Sequence, residues 1–203
     1  MQDAVEQAYE KGYLGNNILG TNFSLDVVVH LGAGAYICGE ETALLNSLEG
    51  KRGEPRLKPP YFPAVMGLYN KPTLVNNVET ISSVPWIIQN SGKEYSKLGV
   101  EGSTGTRIFS LSGHVNNPGN FEIEMGQSFG EFIDTFGKGI KNNKNVKAYI
   151  PGGASAPWFT GDQLDIKMTI DDVANAGSML GSGAVVVMDE DTNLVYAAKS
   201  IVS

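Results

Sequence analysis

The sequence is poor in the residues that most metal and nucleophilic sites use. Among its 203 residues are one cysteine, Cys38, and two histidines, His30 and His114. A single cysteine excludes an internal disulfide framework, and it excludes an iron–sulfur cluster held by this chain alone, since a cluster takes about four thiolates. Neither histidine has a cysteine or carboxylate at metal-ligand spacing, so we expect both to be structural, and Cys38 to be a small packing residue.

Long apolar runs and an excess of basic charge are missing as well. The longest apolar run, 183–188, is far shorter than the roughly 18–20 residues of a membrane-spanning helix. The 15 Lys and Arg residues against 22 Asp and Glu give a net charge of -7, whereas nucleic-acid binders usually present a basic face. We therefore expect neither membrane insertion nor nucleic-acid binding.

Glycine is the one residue in clear excess, with 25 positions. The glycines stand between candidate elements and do not form a linker, which predicts many turns and close backbone approaches. The first half predicts a helix over 3–10, a strand over 23–29, and a Gly-rich loop over 32–39 that leads into a helix ending near Gly50. A helix followed by a strand resembles half of an α/β unit, so we expect a fragment of a larger protein.

Two glutamates, Glu40 and Glu41, stand where the Gly-rich loop meets its helix. The loop does not have the usual G-x-G-x-x-G spacing, and carboxylates at this position disfavour a phosphate. They suit hydrogen-bond donors such as ribose hydroxyls or ring N–H groups. Simple capping of the helix by acidic side chains is an equally good interpretation.

Residues 51–73 are rich in proline and carry two adjacent aromatic residues, Tyr61 and Phe62. Such a segment is either an ordinary surface connection or a wall over a planar ligand, with one of the rings stacking on it. The next block, 74–80, opens another helix and brings Asn76, Asn77 and Thr80 to its start. That arrangement suits an anion, although a capped helix with nothing bound is the more common case.

The pattern changes after a Gly-rich boundary at 99–105, and the second half predicts a compact α+β domain. Alternating runs predict an antiparallel hairpin closed by a type II turn over 117–120. A capping box at Ser128 and Glu131 predicts a helix start. The remaining predictions are a strand over 147–150, a helix over 169–176, a buried strand over 184–188 and a helical tail over 192–203. This order is typical of a β-grasp-like module.

Three ordered blocks resemble the flavoprotein subunit of respiratory complex I. They are Gly-Ala-Gly-Ala-Tyr-Ile-Cys-Gly-Glu-Glu-Thr-Ala-Leu at 32–44, Pro-Arg-Leu-Lys-Pro-Pro at 55–60, and Asn-Asn-Val-Glu-Thr at 76–80. The resemblance extends over nearly the whole chain and includes 150–153 and 177–183. It implies an α/β fold class in which 1–100 is the C-terminal part of a Rossmann-like FMN/NADH-binding domain. It also implies a β-grasp-like domain over 106–190, and the start of a helix toward an iron–sulfur domain over 191–203.

The resemblance also implies roles for individual positions. The flavin pocket would take its first block from Tyr36, Gly39, Glu40 and Glu41, with Tyr36 and Glu41 also near the nicotinamide. The second FMN-contact block would be Val75, Asn76, Asn77 and Thr80. One aromatic residue would stack on the adenine of NADH, and we favour Phe62 over Tyr61 because Phe62 precedes a proline. We expect the turns 36–41 and 75–80 to form opposite rims of one slot for the flavin ring.

The implied activity is transfer of hydride from NADH to FMN, followed by transfer of single electrons to a 4Fe-4S cluster toward quinone. The implied partners are NADH and other peripheral-arm subunits, including a thioredoxin-like iron–sulfur subunit, at the cytoplasmic face of the inner membrane. The family's first flavin loop and its cluster cysteines have no counterpart in this sequence. We therefore expect a fragment truncated at both ends, inactive by itself and without retained FMN.

Two other interpretations stay open. The same blocks occur in the diaphorase subunits of NAD-reducing hydrogenases and formate dehydrogenases, where the partner differs and the pocket does not. The second is a non-catalytic ligand-binding or scaffold module built on 106–190.

Overall fold

The structure is a computed structural model that describes residues 1–202. Contacts divide the chain into two compact units, Met1–Asn77 and a second from Val78 onward. The division lies before the glycine-rich boundary predicted at 99–105, because the helix that follows Asn77 contacts the sheet of the second unit. For example, the Ile108 N–H donates to Glu79. The domain assignment made from the sequence stays a prediction.

The first unit is built from short helices and irregular segments. Its α-helices are α1 Gln2–Glu10, α2 Glu41–Leu48 and α3 Pro63–Met66, with 3-10 turns at Ile18–Gly20, Tyr36–Gly39 and Leu68–Asn70. The predicted helix over 3–10 and the helix ending near Gly50 are confirmed. α1 has Met1 at its N-cap and no side-chain cap.

The strand predicted over 23–29 is wrong. Only Leu25 takes part in β pairing there, through an isolated antiparallel bridge to Gly15. Val28 is 86% exposed and Leu31 is 87% exposed. β-branched residues favour a strand only where a neighbouring strand completes the ladder, and within residues 1–202 this segment has no such neighbour. The Rossmann-like assignment of this half therefore stays a prediction.

The second unit combines five helices with seven strands among its described residues. The helices are α4 Val78–Asn90, α5 Gly92–Tyr95, α6 Phe129–Thr135, α7 Ile170–Asn175 and α8 Leu194–Val202. The strands are β1 Gly99–Val100, β2 Ser103–Thr104, β3 Thr106–Gly113, β4 Gly119–Glu124, β5 Val146–Ile150, β6 Phe159–Thr160 and β7 Ala184–Asp189. The longer elements of this half are confirmed, except that Ser203 at the end of the helical tail lies outside the described residues. Sequence periodicity missed β1, β2 and β6 because two residues are too few to show a pattern.

Five strands form one mixed sheet in the order β4-β3-β7-β5-β6. β3 pairs with β4 antiparallel and with β7 parallel, and β7 pairs with β5 antiparallel. The fold is therefore mixed α/β. β7 is covered on both faces, because Val185 and Val187 belong to the main core whereas Val186 and Met188 pack in a second cluster, and this explains why its sequence is continuously apolar and does not alternate. Its Val185 and Val187 are fully buried.

α6 packs its apolar face into the core of this sheet. The predicted capping box is confirmed, because Ser128 Oγ accepts the Glu131 N–H at 3.1 Å and Glu131 Oε2 accepts the Ser128 N–H at 2.8 Å. Phe132 is fully buried, and its ring centroid lies 5.9 Å from that of Phe109 on β3. Aromatic rings at such separations contribute to the core beyond the area they bury.

The predicted type II turn over 117–120 is wrong. That turn requires a positive φ at Gly119, and Gly119 is not among the residues with positive φ. Instead Gly119 begins β4, where it pairs with Leu111. Asn116 and Asn117 reach across to the segment after α6, where their main-chain N–H groups donate to the carbonyls of Gly139 and Gly137. The hairpin is therefore closed by a longer connection than the local sequence predicts.

No helix within residues 1–202 combines the length and the apolar character that crossing a bilayer requires.

Candidate functional site at the acidic start of helix α2

Glu40 is the N-cap of α2, so its carboxylate is already engaged. Its Oε2 accepts the main-chain N–H groups of Thr42 at 2.9 Å and Ala43 at 2.8 Å, and the Thr42 hydroxyl at 2.6 Å. Burial raises the pKa of Glu40, but these hydrogen bonds and the nearby Lys58 charge outweigh that effect and hold the pKa below its ordinary value. For Glu40, the structure supports the capping interpretation.

Glu41 points its carboxylate to a different partner. Its Oε1 accepts a hydrogen bond from Lys58 Nζ, and 41% of its side chain is exposed. Lys58 Nζ also lies 3.6 Å from Glu40 Oε1. The hydrogen bond to Glu41 raises the pKa of Lys58, with burial opposing it. The two glutamates at the start of the helix therefore share one cation, the cluster stays net negative, and the Glu41 side chain is partly exposed to solvent.

Lys58 was missed as a site residue by sequence reasoning. It stands two residues after Arg56 in the Pro-Arg-Leu-Lys-Pro-Pro block, where the prolines and the aromatic residues that follow are the more conspicuous features. A pair of adjacent carboxylates is itself a signal that a cation lies nearby, because uncompensated neighbouring charges are unfavourable. Which of the chain's lysines and arginines fills that role depends on how the 51–73 segment folds.

The two candidate stacking rings are both accessible. Tyr61 is 37% exposed, and the Arg56 guanidinium carbon lies 6.0 Å from its ring centroid. Phe62 is 49% exposed and is the N-cap of α3, where its carbonyl accepts the Met66 N–H at 2.8 Å. Either ring has the exposure that a stacking role requires, and Phe62 as the adenine partner stays a prediction.

The Gly-rich loop presents an open surface near the start of α2. Tyr36 is 82% exposed, and a side chain added at Gly39 would meet no other atom within 4 Å. Cys38 turns inward instead, since its Sγ lies 2.3 Å from where a Cβ on Gly53 would stand. Its expected role as a packing residue is therefore confirmed.

The second predicted block lies where the first unit ends. Val75 is half-buried, whereas Asn76 and Asn77 are exposed. Thr80 is exposed on the first turn of α4, in the second unit. Among the predicted site residues, Glu40 and Glu41 are brought together through their shared partner Lys58. The expected relation between 36–41 and 75–80 stays a prediction.

A cleft in the second unit was not foreseen. About 450 Å³ in volume, it is bordered by α4, α5, β3 and β4, and Trp86 and Tyr95 line it with their ring centroids 5.8 Å apart. Glu79 lines it too, and its Oε1 accepts the Ile108 N–H at 2.6 Å. A smaller cavity of about 220 Å³ shares Glu79 with it and includes Thr80. These walls come from distant segments, so no local motif marks them.

His114 has a structural role. Its Nδ1 accepts the Asp189 N–H at 3.1 Å and lies 3.1 Å from that residue's carboxylate. Burial raises the pKa of Asp189, but the Thr192 hydroxyl and the neighbouring His114 and Lys144 outweigh burial and lower it. Within residues 1–202, no group of three or more His, Cys, Asp or Glu side chains is arranged to hold a metal ion.

Comparison with known proteins relates this site to a specific family. Residues 1–86 match the Nuo51 FMN-binding domain. The chain is similar to the F subunit of the NADH-quinone oxidoreductase of Mycobacterium bovis, with 50% identity over 199 residues, 98% of this chain and 44% of that protein. The F 2 subunit of the Rhizobium meliloti enzyme is 49% identical over 202 residues, and 48% of its length is covered. The chain thus spans about half the length of the curated relatives it matches.

A solved structure is similar as well. A chain in the crystal structure of an NAD+-reducing [NiFe]-hydrogenase in the H2-reduced state aligns with a TM-score of 0.76 and 33% identity, over 88% of this chain and 29% of that chain. Glu40, Glu41 and Lys58 all fall inside the segment that matches the FMN-binding domain. The chain is thus similar to NADH-quinone oxidoreductase F subunits along nearly its whole length, and its residues 1–86 match the Nuo51 FMN-binding domain.

Proposed function

We propose that this chain is the part of an NADH-oxidising flavoprotein that holds FMN and NADH, within a subunit that passes electrons toward quinone. One observation carries the proposal. The half-exposed Glu41 carboxylate, paired with Lys58, begins α2 shortly after the turn Tyr36–Gly39, which carries the exposed Tyr36, inside the segment that matches an FMN-binding domain.

The donor set at this place fits a flavin nucleotide. An isoalloxazine needs a flat approach and hydrogen-bonding groups at its edge, and Tyr36 and Gly39 leave the surface open. A bound phosphate needs a nearby cation or helix N-terminus, because two glutamates repel it. Lys58 is paired with both glutamates and leaves the cluster net negative, so we assign the edge of the flavin ring to this place and the phosphate to the block 75–80.

When bound, FMN supplies the acceptor for hydride from NADH and releases the electrons one at a time. The residues of this chain bind and orient. Glu40 fixes the start of α2 through its cap, and Glu41 offers an acceptor to nucleotide hydroxyl or ring N–H groups. Phe62 or Tyr61 provides an apolar face for the adenine.

The second block would complete the FMN contacts. Val75, Asn76, Asn77 and Thr80 are proposed as its residues, with Thr80 on the first turn of the 13-residue helix α4. Main-chain N–H groups and a hydroxyl at a helix N-terminus favour a phosphate. The neighbouring Glu79 directs its Oε1 to the Ile108 N–H.

The finer architecture is proposed together with this function. The mixed sheet of the second unit is assigned to a β-grasp-like domain, supported by the hairpin β3–β4, helix α6, and the placement of the last strand, β7, beside β3. The first unit is assigned to a Rossmann-like domain. The 4Fe-4S cluster, a thioredoxin-like partner subunit and a cytoplasmic position on the inner membrane are assigned to the whole protein.

A diaphorase subunit is the second candidate function. The similarity to a chain of an NAD+-reducing [NiFe]-hydrogenase, at 33% identity, favours it. Both candidates use one nucleotide site and differ in the partner that receives or donates electrons.

A chimera tests the proposed function. This chain replaces the matching segment of the Mycobacterium bovis F subunit, and the purified protein is assayed for flavin absorbance and for its bleaching by NADH. We expect stoichiometric FMN and rapid bleaching. A folded chimera that holds no flavin would refute the proposal, provided that the parent subunit, prepared in the same way, retains its own.

Glu41→Gln in that chimera tests the role of this carboxylate. We expect the Michaelis constant for NADH or the inhibition constant of NAD+ to change by about tenfold, the worth of a charge-assisted hydrogen bond. Glu10→Gln, at an exposed position on α1, is the control. Unchanged constants in both variants would remove Glu41 from the site.

A further inference from the structure

Arg56 is a charged residue of the first unit whose side chain and main chain contact several other residues. Its side chain is 9% exposed, although arginine is rarely buried unless it is paired. Its Nε donates to Asn46 Oδ1 at 2.8 Å and its Nη1 donates to the Gly67 carbonyl at 3.1 Å. Its main-chain N–H donates to Thr42 Oγ1 at 2.8 Å. One residue thus contacts the first and second turns of α2 and the end of α3.

The counter-ion is Glu49, directly after α2. Arg56 Nη2 lies 2.9 Å from Glu49 Oε1 and forms an ion pair with it. The same oxygen accepts the Tyr69 N–H at 2.8 Å, and Oε2 accepts from Lys51 Nζ at 2.6 Å. Its interactions with Lys51, Arg56 and the Tyr69 N–H lower the pKa of Glu49 to about 2. Glu49 therefore ties both ends of the 51–73 segment to α2.

This network determines where the ligand-facing residues of the segment lie. Lys58 is two residues beyond Arg56 and reaches Glu41 and Glu40. Tyr61 follows, with its ring 6.0 Å from the Arg56 guanidinium. The planar fork of arginine can serve several acceptors in fixed directions, which a lysine ammonium on a flexible stem cannot do.

We infer that Arg56, with Glu49, is a positioning residue that sets the separation between the acidic start of α2 and the cation and aromatic rings of 51–73, and thereby the affinity for NADH. The inference rests on the proposed function. Arg56 acts through Lys58 and the ring of Tyr61 or Phe62. Misplacing such groups weakens binding without removing any group that takes part in the chemistry.

The experiment compares Arg56→Gln and Arg56→Lys with Arg52→Gln, in the chimera and in the 203-residue chain. Arg52 is a matched control, because it lies in the same segment with 89% of its side chain exposed and its nearest carboxylate 3.9 Å away. In the chimera, we expect both Arg56 variants to raise the Michaelis constant for NADH by about tenfold or more. We expect kcat and flavin content to stay near the parent values, and Arg52→Gln to change nothing.

Hydrogen exchange of the 203-residue chain provides a readout that needs no cofactor. The Tyr61 and Tyr69 amides, which donate to the Leu57 carbonyl and to Glu49, should exchange faster in the Arg56 variants and not in Arg52→Gln. Unchanged exchange at both amides would overturn the positioning role. The positioning role would also be overturned if the Arg56 variants left the Michaelis constant for NADH unchanged, or if Arg56→Lys behaved like the parent. It would be overturned as well if the variants lost flavin content, kcat and NADH affinity to the same extent. If the parent chimera itself holds no flavin, the proposed function has failed, and exchange still decides whether Arg56 positions the segment.

Discussion

At the scale of single residues, Glu40 and Glu41 show how neighbours of one type acquire different roles. Glu40 turns back onto the first turn of α2 and accepts two main-chain N–H groups. Glu41 is one residue further round the helix, so its carboxylate points outward and meets Lys58. The two roles were alternatives at the level of sequence, because both residues stand where a helix begins. The cap belongs to Glu40, and Glu41 faces outward, where a ligand can reach it.

Replacing the cap should weaken the fold. Glu40→Ala removes the acceptor of two main-chain N–H groups, so we expect the free energy of unfolding to fall by about 1 kcal/mol. Glu40→Gln keeps a side-chain oxygen and should cost less. Urea denaturation of the three proteins measures both differences. Equal stability of the alanine variant and the parent would show that the cap contributes nothing.

The Glu49 ion pairs should give a pH dependence of known sign. The folded-state pKa of Glu49 is about 2, below its ordinary value of 4.5. Its stabilising effect is therefore complete above pH 4.5 and is lost as the pH falls toward 2. We expect Glu49→Gln to be less stable than the parent at about pH 7 and the gap to narrow below that ordinary pKa. Thermal unfolding across this range measures the gap, and a gap that is constant with pH would contradict the assignment.

At the scale of elements, helices with local signals were predicted well and pairing was not. The capping box at Ser128 and Glu131 and the buried Phe132 face of α6 were legible because their partners are three or four residues away. The 23–29 segment had the composition of a strand and forms none, because a ladder needs a second strand to supply its hydrogen bonds. The prediction of a turn at 117–120 was wrong for a similar reason, since Gly119 pairs with Leu111 and belongs to β4.

The parallel pairing of β3 with β7 leaves no room for a side chain at Gly113. Its φ is +90°, and an added Cβ would lie 2.1 Å from the Val187 carbonyl oxygen. Gly139 has a φ of +74° but nothing within 4 Å, so it controls for the backbone conformation. We expect Gly139→Ala to cost about 1 kcal/mol and Gly113→Ala to cost roughly 1–3 kcal/mol more, because atoms must move. Chemical denaturation compares the two, and equal costs would contradict the close approach.

At the scale of the whole molecule, stability is unevenly distributed. The sheet core of the second unit is dense, with Val185 and Val187 fully buried at its centre. Residues 26–35 contain no helix or ladder position. Local opening is easiest where few apolar contacts and few main-chain hydrogen bonds must break.

Hydrogen exchange should report this contrast. We expect main-chain amides of β7 to exchange at least about a hundredfold more slowly than those of 26–35, because β7 opens only with the sheet. Mass spectrometry of exchanged peptides from the chain measures both segments in one sample. Similar protection of the two segments would mean that 26–35 is ordered by contacts beyond those described.

How much of the fold and of the site the sequence predicted depends on how far apart along the chain the interacting residues lie. Caps, amphipathic faces and the three family blocks are written within a few consecutive residues, so the amino-acid order was enough to locate α2 and α6 and to suggest the family. Other features join residues that are 17 to 74 positions apart: Lys58 lies beside Glu41, Glu79 contacts β3, and β7 pairs with β3. Such contacts depend on how loops close and which strands meet, and they became visible only when the chain was folded.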